Sequence, residues 1–137
     1  MLNVNIWVIF IAGGLNMVLG MLWYGPLFGK AWMNGMGIDP DDKKKMDEMQ
    51  KTAGSGYAYS LLFAFIFGYA LDLFLNLVDV SSLGFALILA AVVYLGFGIA
   101  NTVKSVLWGE TNRQVFMINT GFEIVFIGIM TVVAFYL

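Results

Sequence analysis

Residues 4–24, 57–78, 83–103 and 115–137 hold only two charged side chains between them, Asp72 and Glu123. No other feature restricts the fold as strongly. A bilayer's hydrocarbon core is about 30 Å thick, which takes about 20 apolar residues of helix to cross. Inside it every backbone N–H and C=O needs a partner, and a helix supplies one from within its own segment. Each of the four runs has the required length. Apolar residues make up 61% of the 137-residue chain and charged residues 12%, with mean hydropathy +0.85. Soluble domains average about 45–50% and about 25%, so the surplus apolar surface fits lipid better than a buried core. The expected fold is all-α, an integral membrane four-helix bundle in a single domain. A short interfacial and cytoplasmic helical segment is expected within the loop 25–56. Residues 4–24 also invite a signal-peptide reading. They lack its positive n-region and outrun its h-region, so an uncleaved span is expected.

Gly20-Met21-Leu22-Trp23-Tyr24-Gly25-Pro26-Leu27-Phe28-Gly29-Lys30-Ala31-Trp32 closes the first run. Trp23 and Tyr24 suit the headgroup level. Pro26 should break the helix and disfavours helical backbone at Gly25. Leu27, Phe28, Trp32, Met33 and Met36 suggest a segment lying along the membrane surface. Residues 37–56 are the polar part. Asp39 is expected as an N-cap with Pro40 at the first helical position. The pairs Asp41–Lys45, Lys43–Asp47, Lys44–Glu48 and Asp47–Lys51 support a short water-facing helix. Lys43, Lys44 and Lys45 also suit anionic lipid, but within 39–51 four lysines face five acids, so a solvated helix is the preferred reading. Residues 52–56 read as a hinge, and residues 78–82 as a tight turn that makes spans two and three antiparallel neighbours. Ala12, Gly13, Asn16 and Gly20 on the first span, and Gly96 and Ala100 on the third, form small-residue notches for helix approach.

Lys30, Lys43, Lys44, Lys45 and Lys51 lie in the first loop, and Lys104 and Arg113 flank the third. The second loop and the chain ends hold none of the seven. Positive loops face the cytoplasm, so both termini are expected outside. Leu22-Trp23-Tyr24-Gly25 is echoed by Leu107-Trp108-Gly109. Two parallel hairpins could produce this, but the interfacial preference of Trp explains it more simply.

An Asp near mid-membrane costs about 2.5–3.5 kcal/mol on insertion scales, so Asp72 and Glu123 are functional candidates. Counted from Tyr57, Asp72 lies ~22 Å from the cytoplasmic edge; counted from Val115, Glu123 lies ~12 Å from it. Tyr69, Asp72, Asn76 and Asp79 make a stripe opening outward. Asn16, Tyr94, Asn119 and Glu123 fall at one depth and form the expected buried polar layer. Such a layer suits a proton or cation site, or a set of hydrogen bonds that fixes helix register; the structural reading is preferred. The chain has no cysteine and no histidine, which removes disulfides, thiol and imidazole catalysis and nearly all zinc, copper or haem ligation. No cofactor, no metal and no catalytic residue is expected, and hence no enzyme. A net charge of −2 gives no reason to expect nucleic acid.

Gly20-x-x-Trp23-Tyr24-x-Pro26-Leu27-Phe28-Gly29-Lys30-x-Trp32 resembles the signature of a bacterial membrane protein family catalogued as domain of unknown function 1761. Residues 113–123 resemble that family's last helix, which follows an arginine loop. The resemblance implies a multi-pass protein of four helices in the bacterial cytoplasmic (inner) membrane, and no assigned activity. The expected function is that of a small structural or interaction protein, or an accessory subunit. Its partners would be the lipid bilayer, a second copy in a homo-oligomer (a dimer), and a membrane or cytoplasmic protein. The alternative is an oligomeric proton- or cation-linked transporter or channel using Glu123 and Asp72.

Overall fold

The computed structural model describes residues 3–137. Among these there are five helices and no strand: α1 (Ile6–Leu27), α2 (Gly29–Gly35), α3 (Lys43–Val78), α4 (Leu83–Leu107) and α5 (Arg113–Tyr136). All but α2 are long and apolar enough to cross a membrane.

Short polar side chains start four of them. Asn5 accepts the Trp7 N–H at 3.0 Å, Ser82 that of Phe85 at 3.3 Å, and Asn112 that of Gln114 at 2.7 Å. The cap of α3 is Asp42, which accepts the Lys45 N–H at 3.1 Å, rather than the expected Asp39. Asp39 instead accepts from the Asp41 N–H and closes a turn onto the Asp42 N–H. Two acids compete for the cap, and the nearer one leaves Asp39 free to build the turn leading into the helix. Gly37 (φ +69°), Asp79 (φ 53°) and Gly109 (φ 72°) each end a helix in the left-handed region. Each follows the pattern in which the next residue's N–H reaches back five positions, as from Ile38 to Met33 at 2.9 Å.

No hinge interrupts residues 52–56. α3 runs unbroken for 36 residues, about 54 Å, so its first turns extend past any bilayer-thick segment. Gly54 and Gly56 cost about 1 kcal/mol each in a helix. Cooperative propagation from the long apolar run that follows, held in place by its packing on α1, outweighs this. Thr52 and Ser55 donate to backbone carbonyls of the preceding turn. Pro26 also does not stop the first helix outright. The α-helical part ends at Leu22, and a wider π-type turn, Trp23–Leu27, carries on, its Phe28 N–H reaching the Trp23 carbonyl at 2.8 Å. The backbone leaves helical values at Gly25 (φ −102°, ψ −105°), the residue that the proline ring crowds.

α1 and α3 pack antiparallel and closely. Ala12 and Gly13 of α1 face Ala64 and Gly68 of α3, and all four are buried. A Cβ on Gly68 would stand 2.8 Å from the Ala12 Cβ and 3.1 Å from the Ile9 Cα and the Val8 carbonyl oxygen. Small residues let the two backbones meet. Gly20, Gly96 and Ala100, the other expected notches, meet no neighbouring helix: Gly20 and Gly96 have open space where a Cβ would go, and Ala100 is exposed. α5 is the hub and touches each of the other helices. Phe126, Met130 and Ala134 of α5 close the core with Val8, Leu71, Leu75 and Ala86. α4 rests chiefly on α5, and only 6% of its most apolar stretch is buried.

Both described ends lie together. The Asn5 side chain donates to the Leu137 carbonyl at 3.1 Å. The opposite end gathers α2, the start of α5 and the junction after α1, where Gly35 sits against Val115. The seven basic residues belong to that half.

Candidate functional site

The junction after α1 organises a polar and aromatic cluster against α5. The π turn sends both rings of Trp23 and Tyr24 towards α5. Trp23 Nε1 donates to the Ile118 carbonyl at 3.0 Å, and the Tyr24 hydroxyl donates to Asn119 Oδ1 at 2.9 Å. Aromatic packing continues from Trp32 through Tyr24 to Phe122 and Phe126, with centroids 5.9, 5.4 and 6.0 Å apart. These separations favour tilted and offset ring pairs. Trp32 Nε1 is a buried donor with no acceptor among the described residues.

One turn deeper, the Tyr94 hydroxyl donates to Glu123 Oε2 at 2.6 Å. Tyr94 opens a second π segment, Tyr94–Ile99. Its ring lies over Gly98: a Cβ there would come 2.5 Å from Tyr94 Cδ2. The glycine is thus the space that lets Tyr94 reach Glu123. Both π segments flank α5 at the cluster, and such wide turns are frequent at functional sites.

The expected layer therefore divides. Tyr94 and Glu123 meet, and Asn119 pairs with Tyr24 beside them. Asn16 belongs elsewhere: it is buried between α1 and α3, where its Nδ2 donates to the Ser60 hydroxyl at 2.8 Å. Equal depth does not decide which face a side chain occupies. Ser60 is the partner that sequence reasoning missed; it stands 44 positions from Asn16, and no spacing rule links them, while Tyr24, expected at headgroup level, turns its hydroxyl to Asn119 instead. Of the junction motif, Lys30 makes no side-chain hydrogen bond among the described residues, and Gly20 and Pro26 carry no side-chain donor or acceptor.

Asp72 lies at the other end. It is 3% exposed, and its Oδ2 accepts the backbone N–H of Asn5 at 2.7 Å. Asn76 donates to the Asp72 carbonyl at 2.9 Å. The carboxylate thus sits at the positive end of α1, where an anion is favoured. Asn5 links Asp72 and Leu137 directly, whereas Glu123 precedes Leu137 by fourteen positions, ~21 Å along α5. That is about twice the depth difference reckoned from residues 57 and 115, because the helices are offset along their axes. The two carboxylates do not share a site.

Two predictions arise here. Gly98→Ala is expected to displace the Tyr94 ring and lower stability by about 1–3 kcal/mol, as overpacking does; thermal unfolding in detergent measures it. In a double-mutant cycle, Tyr94→Phe and Glu123→Leu, which removes the acceptor, are expected to couple by about 0.6–1.7 kcal/mol, the range of membrane interhelical hydrogen bonds. A coupling of zero would mean the bond is not formed in the folded protein.

The chain matches, over residues 7–135, the family described as Protein of unknown function (DUF1761), and it belongs to that family. No curated protein and no solved structure matches it.

Proposed function

We propose that this DUF1761 protein is a non-enzymatic structural or interaction subunit of the bacterial inner membrane, working as a homodimer or beside a membrane partner. Its basic loops face the cytoplasm and both termini face out, as the positive-inside rule requires. The observation that carries this reading is the exposure of α4. It is the most apolar of the four long helices and the least covered, and α5 is its main neighbour. Ile88, Val92, Leu95 and Phe97 are 58–74% exposed along it. Meanwhile Glu123, Asn119, Asn16 and Asp72 each hold a hydrogen bond to another helix or to the start of α1. Polar side chains spent in this way fix register within the chain, and the uncovered Gly96 and Ala100, one turn apart on α4, leave a small-residue notch where another helix can approach.

The native chain has no cysteine, so single substitutions report cleanly. Ile88→Cys, Val92→Cys or Leu95→Cys is expected to cross-link in native membranes, to a second copy or to another protein. Ile66→Cys on exposed α3 serves as the control. Equal, background-level cross-linking at all four positions would end the reading.

A second reading rests on the Tyr94–Glu123 bond beside a π segment: an oligomer that carries protons or cations through Glu123 alone. Liposomes holding a pH-sensitive dye test it. Flux with wild type and none with Glu123→Gln supports it; no flux with either removes it.

A further inference from the structure

A groove of about 700 Å³ opens on the basic half of the molecule, between the junction and α5. Trp23, Phe28 and Ala31 form one wall, and Met117 and Gly121 of α5 form the other. Asn112, Arg113 and Gln114 stand at one end. From Arg113 to Gly121 is eight residues of α5, ~12 Å. The groove is therefore polar and positive at the start of α5 and apolar along the next two turns. Its one indole N–H is already satisfied, since Trp23 Nε1 donates to the Ile118 carbonyl, so the inner part asks for no polar group. The mouth has the opposite character. Arg113 is exposed, a guanidinium pairs bidentately with a phosphate, and the α5 dipole adds positive potential at that end.

We propose that this groove holds one anionic phospholipid, with its phosphate at Arg113 and an acyl chain lying between Trp23 and Met117. Charge complementarity and the polar-to-apolar gradient select this occupant: a soluble anion would leave the apolar walls uncovered, and a hydrocarbon alone would leave the arginine unused. The inference depends on the chain lying in a bilayer but not on the association through α4 proposed above, so either can fail without the other.

The test is reconstitution of the full chain into nanodiscs of equal parts phosphatidylglycerol and phosphatidylcholine with matched acyl chains. Mass spectrometry of the gently released protein then counts retained lipid. Wild type is expected to retain one phosphatidylglycerol in about fivefold preference over phosphatidylcholine, the worth of one basic residue at a membrane surface. The preference is expected to fall as salt is raised. Arg113→Gln should bring it to unity and Arg113→Lys should keep most of it. Ala31→Trp, which fills the groove, should release lipid of either kind. Circular dichroism checks that each variant keeps its helix content, and the salt series on wild type stands without any variant. Equal retention of both lipids by wild type would overturn the proposal. So would an unchanged preference in folded Arg113→Gln, or self-cross-linking of Met117→Cys, which would give the groove to a second copy.

Discussion

Gly68→Leu is expected to force α3 away from α1 and to lower stability by about 3 kcal/mol or more. The first added carbon already lies 2.8 Å from the Ala12 Cβ and 3.1 Å from two backbone atoms of α1. None of these is the end of a flexible side chain, so rotamer changes cannot relieve the clash. Overpacking in close-packed interiors typically costs about 1–3 kcal/mol per substitution, and a four-carbon side chain against backbone lies at or past the upper limit. Gly13 makes an instructive contrast, because its added Cβ would run into the Phe65 ring, which can swing aside. Gly14→Leu is the control. Nothing lies within 4 Å of a Cβ there, and leucine is the better helix former by about 1 kcal/mol. Unfolding midpoints in detergent should fall sharply for Gly68→Leu and hold or rise for Gly14→Leu. Equal behaviour of the two would mean that α1 and α3 do not meet at Gly68.

Asp72→Leu carries the next largest effect, about 1.5–3 kcal/mol. The Asn5 N–H would lose a short bond to a carboxylate, and bonds to charged groups are the stronger class. The start of α1 would also lose its nearby negative charge. Asn5 ties α1 to the end of α5 through the Leu137 carbonyl, so hydrogen exchange should quicken at the first turn of α1 and the last turn of α5. Asp72→Asn keeps an acceptor for the Asn5 N–H and should lose about half as much. If Asp72→Leu left both stability and exchange unchanged, the carboxylate would not be a helix cap.

Much of this was legible in the chain, and its limits follow a physical line. The four apolar runs announced four long helices, because only length and the absence of charge matter for that inference. The antiparallel pairing of α1 with α3 was half legible: Ala12 and Gly13 showed a notch, but nothing showed that Gly68 fills it. Gly20 and Gly96 have the same composition signal and meet no other helix in this chain, since small residues permit approach without selecting a partner. Depth arithmetic brought Tyr94 and Glu123 to one level, where they meet. It brought Asn16 to that level too, but Asn16 faces α3. Axial rise is a property of one helix, whereas azimuth and offset belong to a pair.

By itself, the sequence determined that this chain must bury its backbone polar groups in long helices with its basic residues gathered at one end. Both follow from local composition, the first from the cost of an unpaired amide in hydrocarbon. Only the tertiary structure decided that α5 is the hub, that Asp72 caps α1, that Glu123 answers Tyr94, and that the hinge before residue 57 is helix. Each of these depends on which faces of separate helices are turned towards each other, or on cooperative propagation through a weak stretch. Neither is encoded in any single segment.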